Sequence, residues 1–151
     1  MPDNVVYLRR QKCLFDSSIY ISNLNRAKHA DAIEALIRGH VLYLHSVVFE
    51  ELLAGVKNNR EEKILQQLKK PFLNAGRIIT PTDQDWQETG AIMSQFLRSG
   101  SRSAHKIVSL THDVLIAVST RREGVRVITE NRRDFERICK IKAFKFSVWQ
   151  S

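Results

Sequence analysis

Short apolar runs alternate with longer segments of helical periodicity from one end of the chain to the other. The short runs have the length and the β-branched and aromatic content of buried strands, and the longer segments repeat as amphipathic helices do. Strands that alternate with helices predict an α/β fold, a three-layer α/β/α sandwich with a mostly parallel central sheet. Strands are predicted at 12–16, 40–46, 76–81, 125–130 and 142–149, and helices at 17–26, 29–39, 47–56, 59–76, 82–100, 109–124 and 131–139.

Residues near the predicted helix ends support several of these boundaries. Ser46 is a favoured residue type for the N-cap of the helix after the second strand, and Gly39 closes the helix before that strand. The acids of "TDQD" stand in the first turn of the fifth helix, where the helix dipole favours negative charge. The stretch "SGSRSAHK", residues 99–106, is basic and rich in small residues, and it is predicted to be a loop.

Length and composition limit the class of protein. The chain has 151 residues, of which 43% are hydrophobic, so a single globular domain over residues 1–151 is expected, with residues 1–11 as an N-terminal extension. No segment has the pattern of a secretory signal or the roughly 18 apolar residues of a membrane span, so a cytoplasmic location is expected. Cys13 and Cys139 lack the spacing of a zinc site or a disulfide framework, and buried free thiols are predicted.

The net charge of +8 is concentrated in the C-terminal third of the chain. Residues 1–97 contain 12 Lys/Arg and 11 Asp/Glu, whereas residues 98–151 contain 12 and 5. A positive surface attracts polyanions through counterion release, so the charge is compatible with a nucleic-acid partner. A basic surface that only keeps the protein soluble explains the same charge, and charge alone favours that alternative.

Asp16 follows the first predicted strand at the point where the apolar run "CLF" ends. Ligands of open α/β sheets bind beyond the C-terminal ends of the strands, so this is a position for a functional acid. Aspartate is also a favoured N-cap, and Ser17 or Ser18 could share the capping of the next helix. Taken alone, capping is the simpler explanation of Asp16.

Glu50 and Glu51 lie about one turn inside the helix that follows the second strand. Consecutive helical residues point about 100° apart, so only one of the two can readily face the strand ends. We predict that Glu50 is that residue. A solvated acid near a helix N-terminus explains Glu50 as well.

Two further acids occupy comparable places. Asp113 begins a predicted helix whose next turn supplies apolar and small residues on the same side, which indicates a pocket wall; stabilisation of the first turn, with Thr111 as the cap, is the alternative. Asp134 follows the fourth strand in "TENRRDF". Its alternative role is structural, because Asn131 as N-cap with Asp134 three residues later resembles a capping box.

Several carboxylates that converge at one sheet edge would repel one another unless a cation neutralised them. A divalent metal is the simplest occupant, and ligands that are all oxygen suit Mg²⁺ or Mn²⁺. None of the five histidines has zinc-helix spacing. His112 adjoins Asp113 but is predicted to point elsewhere, as a surface residue at a helix end.

The four acidic segments together resemble a known family. "LFDSSIYI", "SVVFEELLAG", "THDVLIA" and "VITENRRDFERI" are similar to the successive acidic motifs of PIN-domain ribonucleases, in particular VapC-type toxins of toxin–antitoxin pairs. The resemblance runs from about Cys13 to the C-terminus, and "TENRRDF" matches the family's "TxNxxDF". The N-terminal extension is a departure from many relatives. Asn131, which some PIN nucleases replace with an acid, leaves open whether one metal ion or two are bound.

The resemblance implies that Asp16, Glu50, Asp113 and Asp134 form a catalytic, metal-binding quartet, which Thr129 and Asn131 support. It implies an endoribonuclease that uses Mg²⁺ or Mn²⁺ to hydrolyse phosphodiester bonds in RNA, with a structured RNA such as tRNA as the expected substrate. It also implies a homodimer that a cognate VapB-type antitoxin inhibits. The amphipathic stretch 56–73 could belong to such an interface, although ordinary core packing explains it as well. Basic residues near the motifs could hold RNA phosphates or be solvated charges: Arg98, Arg102, Lys106, Arg132, Arg133 and Arg137.

Other functions compete with this one. A non-catalytic PIN-like module that binds RNA or protein is disfavoured, because clustered negative charge gives an RNA-binding pocket no advantage. A phosphoryl-accepting receiver domain needs an acid after the third strand, where Pro81 stands instead. A phosphatase with a DxD nucleophile fails at Ser18, and the glycine signatures of P-loop and dinucleotide-binding folds are missing.

Overall fold

The structure is a computed structural model that describes residues 10–26, 29–100 and 104–150. Most of the predicted N-terminal extension, and residues 101–103 of the predicted basic loop, lie outside the described residues. Five strands and seven helices form within the described ranges. The strands are β1 (Lys12–Phe15), β2 (Val41–His45), β3 (Ile78–Ile79), β4 (Arg126–Thr129) and β5 (Phe146–Val148). The helices are α1 (Ser17–Arg26), α2 (Ala30–Gly39), α3 (Ser46–Ala54), α4 (Asn59–Asn74), α5 (Asp83–Arg98), α6 (Ala104–Glu123) and α7 (Arg132–Ile141).

The strands form one sheet in the order β3-β2-β1-β4-β5, and every pair of neighbours is parallel. The predicted α/β class with a parallel central sheet is therefore confirmed. The chain leaves β1 toward β2 on one side and returns to β4 on the other side, so the topology switches direction between β1 and β4. Ligand sites of open parallel sheets form at such a switch, beyond the C-terminal ends of the strands.

Alternating side chains of the central strands fill the core on opposite faces of the sheet. Leu14 of β1 lies beside Val127 of β4, and both belong to a cluster with Val48, Leu65 and Phe135 from the helices. Phe15 lies beside Ile128, and both belong to a second cluster, which Cys13, Ile19, Ile33 and Leu36 extend toward α1 and α2. A third cluster joins α5, α6 and α7. Cys13 is a buried free thiol as predicted, whereas Cys139 is only partly buried.

The start of α3 differs from the prediction. His45, rather than Ser46, is the N-cap, because its Nδ1 accepts a hydrogen bond from the Val47 N–H at 3.1 Å. The Nε2 atom of the same ring lies 2.6 Å from the hydroxyl of Ser119 on α6, and burial lowers the pKa of His45 to about 4. A neutral, buried imidazole thus joins the start of α3 to α6.

The start of α6 also differs from the prediction. The helix begins at Ala104 and so includes the end of the stretch that was predicted to be a loop. Asp113 therefore lies in the interior of a 20-residue helix and not in its first turn. Thr111 does not cap this helix, because its hydroxyl donates to the carbonyl of Ile107 one turn earlier, at 2.7 Å. The alternative explanation, in which Asp113 stabilises the first turn of its helix through the helix dipole, is therefore wrong.

Among the residues that the structure describes, no helix combines the length and the apolar character needed to cross a lipid bilayer.

Candidate active site

Asp16 is buried at the end of β1, and both of its carboxylate oxygens are engaged. One oxygen accepts from the N–H of Ser18 at 3.1 Å and from the hydroxyl of the same serine, so Asp16 does cap α1. The other oxygen accepts from the Thr129 hydroxyl at 2.5 Å. Burial raises the pKa of Asp16, although the hydrogen bonds from Ser18 and Thr129 oppose this shift. Capping and a place at the sheet edge are thus both realised in one residue.

Thr129 and Asn131 connect Asp16 to the acids that follow. The Thr129 hydroxyl donates to Asp16 and accepts from the Asn131 N–H at 2.9 Å. The side-chain amide of Asn131 lies 3.4 Å from an oxygen of Asp113 and 3.2 Å from an oxygen of Asp134. The two residues that were predicted as polar supports therefore lie among three of the predicted acids.

Asp113 on α6 is a second buried acid whose pKa is raised. Burial, followed by the charges of Asp16, Glu51 and Asp134, raises the pKa of Asp113 to about 8. Desolvation and neighbouring charges of the same sign both disfavour the ionised carboxylate. Such a shift is typical of a functional site, where acids are kept together against their mutual repulsion.

The structure places Glu51, and not Glu50, on the side of α3 that faces Asp113. The side chain of Glu50 is 62% exposed, whereas that of Glu51 is 24% exposed and lies 3.0 Å from Nδ1 of His112. Glu51, and not Glu50, is among the charges that raise the pKa of Asp113. The prediction recognised that only one of the pair can face the strand ends, but the rotation of α3 turns Glu51 in that direction.

Asp134 lies at the mouth of the site near the start of α7. Asn131 caps this helix, because its Oδ1 atom accepts from the N–H of Asp134 at 3.4 Å. The Asn131 N–H donates to Thr129 and not to Asp134, so only half of the predicted capping box is present. The carboxylate of Asp134 is free of that role and contacts the Asn131 amide and, at 3.7 Å, the guanidinium of Arg137. Asp134 thus combines a position in the first turn of α7 with a carboxylate that faces Asp113 through Asn131.

Besides Glu51, two residues of the site were missed by reasoning from the sequence. Ser18 binds Asp16 and also accepts from the N–H of Glu130, so it joins the ends of β1 and β4. Its position two residues after an aspartate was the available signal, since Ser and Asp side chains often bond locally to the backbone. His112 was predicted to point elsewhere, and this is wrong, because it contacts Glu51 from the interior of α6. No sequence signal indicated that contact.

The donor set suits a divalent cation in its chemistry. Asp16, Glu51, Asp113 and Asp134 offer oxygen atoms only, the ligands that Mg²⁺ and Mn²⁺ prefer, and a cation would relieve the repulsion that raises the pKa of Asp113. Across the described ranges, however, no three His, Cys, Asp or Glu side chains are grouped so as to hold an ion. The Asn131 amide now donates to both Asp113 and Asp134, so a cation would share or replace that contact.

A groove with a mainly apolar lining opens beside Glu51. It has a volume of about 500 Å³, and Glu51 lies in its lining. We call it the α1–α4 groove; its apolar lining comes from Ile21, Leu24, Leu52, Val56, Ile64 and Leu65. Ile21, Leu24 and Ile64 are exposed to the solvent, although their side chains are large and apolar.

The basic residues near the motifs are partly committed to acids. Arg132 pairs with Glu136 at 3.2 Å, and Arg137 pairs with Asp134 and stacks over the ring of Phe96. Arg102 lies outside the described residues. These contacts leave the predicted phosphate-binding role of the arginines untested.

Three solved structures of similar fold are of VapBC proteins. DNA-bound VapBC from Salmonella typhimurium is 21% identical, with a TM-score of 0.65 over 92% of this chain and 98% of that one. VapBC2 from Rickettsia felis, bound to a DNA fragment from its promoter, is 21% identical, with a TM-score of 0.66 over 93% of this chain and 100% of that one. VapBC-1 from nontypeable Haemophilus influenzae is 18% identical, with a TM-score of 0.66 over 92% and 98% of the two chains.

At these identities the structural likeness shows a shared fold. No curated protein matches the sequence. The sequence itself matches the PIN domain family over residues 13–141, a range that contains all the acids described above. The match covers most of the chain and agrees with the sheet order and with the acids at its C-terminal edge, so this chain belongs to the PIN domain family.

Proposed function

We propose that this protein is a metal-dependent endoribonuclease of the VapC toxin type, which hydrolyses phosphodiester bonds in a structured RNA such as tRNA. The observation that carries the proposal is the environment of Asp113. A buried carboxylate that faces Asp16, Glu51 and Asp134 is unfavourable for folding, and its pKa of about 8 expresses that cost. A catalytic site that binds a divalent cation would explain why these acids lie together.

We assign the direct metal ligands to Asp16, Asp113 and Glu51, with Asp134 as a ligand that acts directly or through water. Glu51 takes the role that the sequence prediction gave to Glu50, because Glu51 is the acid turned toward Asp113. Thr129 and Ser18 fix the orientation of the Asp16 carboxylate, and Asn131 does so for Asp113 and Asp134. Hydrogen bonds of this kind orient metal ligands, and the loss of one commonly lowers metal affinity or activity 10- to 100-fold.

Bound Mg²⁺ or Mn²⁺ would lower the pKa of a water ligand and stabilise the leaving 3′-oxygen. The acids of this chain would hold the ion, and the proposed nucleophile is the metal-activated water and not the ribose 2′-hydroxyl. The products would therefore carry 5′-phosphate and 3′-hydroxyl ends. The excess of Lys and Arg after residue 97 supports RNA as the substrate, since phosphate contacts supply most of the affinity for nucleic acids.

We further propose that a VapB-type antitoxin binds the α1–α4 groove and that the chain forms a homodimer. The groove is apolar, open and adjacent to Glu51, so a helix or extended segment could bury its apolar side there while a basic side chain reaches the acids. This assigns one face of the amphipathic stretch 56–73 to the partner, through Ile64, and another face to the core, through Leu65. The VapBC complexes of similar fold support a partner of this class.

The test is cleavage of total tRNA and ribosomal RNA by the antitoxin-free protein with Mg²⁺, Mn²⁺ or EDTA. We expect discrete fragments that depend on the metal and disappear in Asp16→Asn. Glu51→Gln should reduce the rate at least about 100-fold, since it removes a ligand and not only an orienting contact. Glu50→Gln is the matched control, because it makes the same change in the neighbouring residue on the exposed side of α3.

A non-catalytic RNA- or protein-binding module is the alternative function. RNA binding without fragments under every metal would support that module and reject the nuclease. Equal loss of cleavage in Glu50→Gln and Glu51→Gln would reject the assignment within the pair while leaving the nuclease in place. Fragments with 2′,3′-cyclic phosphate ends would reject water as the nucleophile.

A further inference from the structure

His112 forms a contact between the two helices that carry the central acids. It lies in the interior of α6, one residue before Asp113, and its Nδ1 atom is 3.0 Å from a carboxylate oxygen of Glu51 on α3. A carboxylate can only accept a hydrogen bond, so Nδ1 carries the hydrogen. Its distance to the nearer oxygen of Glu50 is 3.9 Å, which is too long for a hydrogen bond.

The surroundings make this hydrogen bond effective. The side chains of His112 and Glu51 are 27% and 24% exposed, so water competes for the contact less than it would at a fully exposed pair. A free glutamate side chain samples many rotamers, and fixing it in one of them costs conformational entropy. The bond to His112 offsets part of that cost and keeps the Glu51 carboxylate on the side of α3 that faces Asp113.

We propose that His112 is a positioning residue that holds the Glu51 carboxylate beside Asp113, on the side to which α3 turns it. The inference rests on the proposed nuclease function, because it assigns His112 a part in that same site. His112 acts through its Nδ1–H group, and the opposite ring nitrogen, Nε2, has no part in the proposal.

Two substitutions distinguish a positioning role of the Nδ1–H group from a catalytic role of Nε2. In His112→Asn the side-chain amide carries N–H donors at about the place of Nδ1 and has no equivalent of Nε2. In His112→Phe the ring is kept and both nitrogens are lost. His40→Phe is the matched control, since His40 is another partly buried histidine, whose Nδ1 atom bonds to a backbone carbonyl of α2 at 3.1 Å.

The experiment measures kcat and KM for RNA cleavage in Mn²⁺, and Mn²⁺ binding by calorimetry, for these variants of the full chain. We expect His112→Phe to lower kcat about 10- to 100-fold with little change in KM and to weaken Mn²⁺ binding by a similar factor. His112→Asn should stay within about threefold of the wild type, because it keeps the donor. If His112→Asn is as defective as His112→Phe, or if His112→Phe is unaffected, the proposal is wrong.

A second readout needs neither metal nor cleavage. Urea unfolding in EDTA of the wild type, His112→Phe, Glu51→Gln and the double variant forms a double-mutant cycle. We expect a coupling of about three- to tenfold in the unfolding equilibrium constant, as for one partly buried hydrogen bond. Absence of coupling would overturn the proposal. If the wild type cleaves no RNA, the proposed function fails, but this cycle still decides whether His112 positions Glu51.

Discussion

Asp85 and Asp113 are both buried aspartates, yet their surroundings shift their pKa values in opposite directions. Asp85 accepts three hydrogen bonds of 2.9–3.1 Å from the guanidinium of Arg122 and completes a capping box with Thr82 at the start of α5. Burial alone would raise the pKa of Asp85, but these hydrogen bonds and the guanidinium charge lower it. Asp113 faces other acids, and its pKa rises to about 8.

The difference shows what each carboxylate contributes. The charge of Asp85 is neutralised within the chain, so that residue stabilises the packing of α5 against α6 and needs nothing from outside. The ionised form of Asp113 is opposed by the neighbouring acids, so this side chain keeps its proton at neutral pH, and a bound cation would favour its ionisation. A buried acid that the protein itself leaves uncompensated is therefore the better indicator of function than burial or acidity alone.

The largest expected effect separates activity from stability. Asp113→Asn should reduce RNA cleavage in Mn²⁺ by more than about 100-fold, because a metal ligand and its charge are lost. Asp85→Asn should leave the cleavage rate per folded molecule within about twofold, since Asp85 belongs to no part of the site. Rates should be normalised to the folded fraction from circular dichroism. Loss of cleavage in the folded Asp85 variant would break the comparison.

The next effect is the pH dependence of stability without metal. The pKa of Asp113 is about 8 in the fold and 3.8 as its ordinary value, so the folded state keeps a proton that the unfolded chain releases. Stability from this group is present at low pH and is lost as the pH rises toward 8. Between about pH 5 and 7.5 the wild type should lose about 3 kcal/mol of unfolding free energy relative to Asp113→Asn.

This dependence is measured by urea unfolding in EDTA at several pH values. The difference between the wild type and Asp113→Asn isolates Asp113, because all other titrating groups are common to both proteins. A difference that does not vary with pH would mean that the Asp113 carboxylate is ionised in the fold.

A smaller effect concerns the ion pair between Asp85 and Arg122. Arg122→Met should lower the unfolding free energy by about 2 kcal/mol, because it leaves the buried Asp85 carboxylate without its main donor, although Arg122 itself is 37% exposed. Arg132→Met is the control, since Arg132 forms an exposed pair with Glu136 that should contribute less than about 0.5 kcal/mol. Equal effects of the two changes would contradict the role given to Asp85.

The smallest expected effect compares the threonines that accompany the two aspartates. Thr129→Val removes the donor to Asp16 and should slow cleavage about tenfold, at the low end for a residue that orients a ligand. Thr82→Val removes an N-cap and should cost about 1 kcal/mol of stability while cleavage is unchanged. Kinetics and urea unfolding of both variants test this, and the reverse pattern would refute it.

Much of the fold could be predicted from the chain because alternating strands and helices carry strong periodic signals. The five strands and seven helices were all predicted in the right order, and the short β3 and β5 were predicted too long. The start of α6 was missed because the basic, small-residue segment before Asp113 has the composition of a loop. In the structure the helix begins within that segment, at Ala104. Local composition is a weaker signal than the packing of the helix that follows.

The sequence by itself determined the parallel α/β architecture, the PIN-type order of acidic motifs and the places of Asp16, Thr129 and Asn131 after their strands, because these depend on periodicity and chain order. Only the tertiary structure decided that Glu51 faces Asp113, that His112 contacts Glu51, and that Asp85 is neutralised while Asp113 is not. The rotation of a helix about its axis and the charges that neighbouring elements bring to a residue are set by packing between distant segments, which no local pattern records.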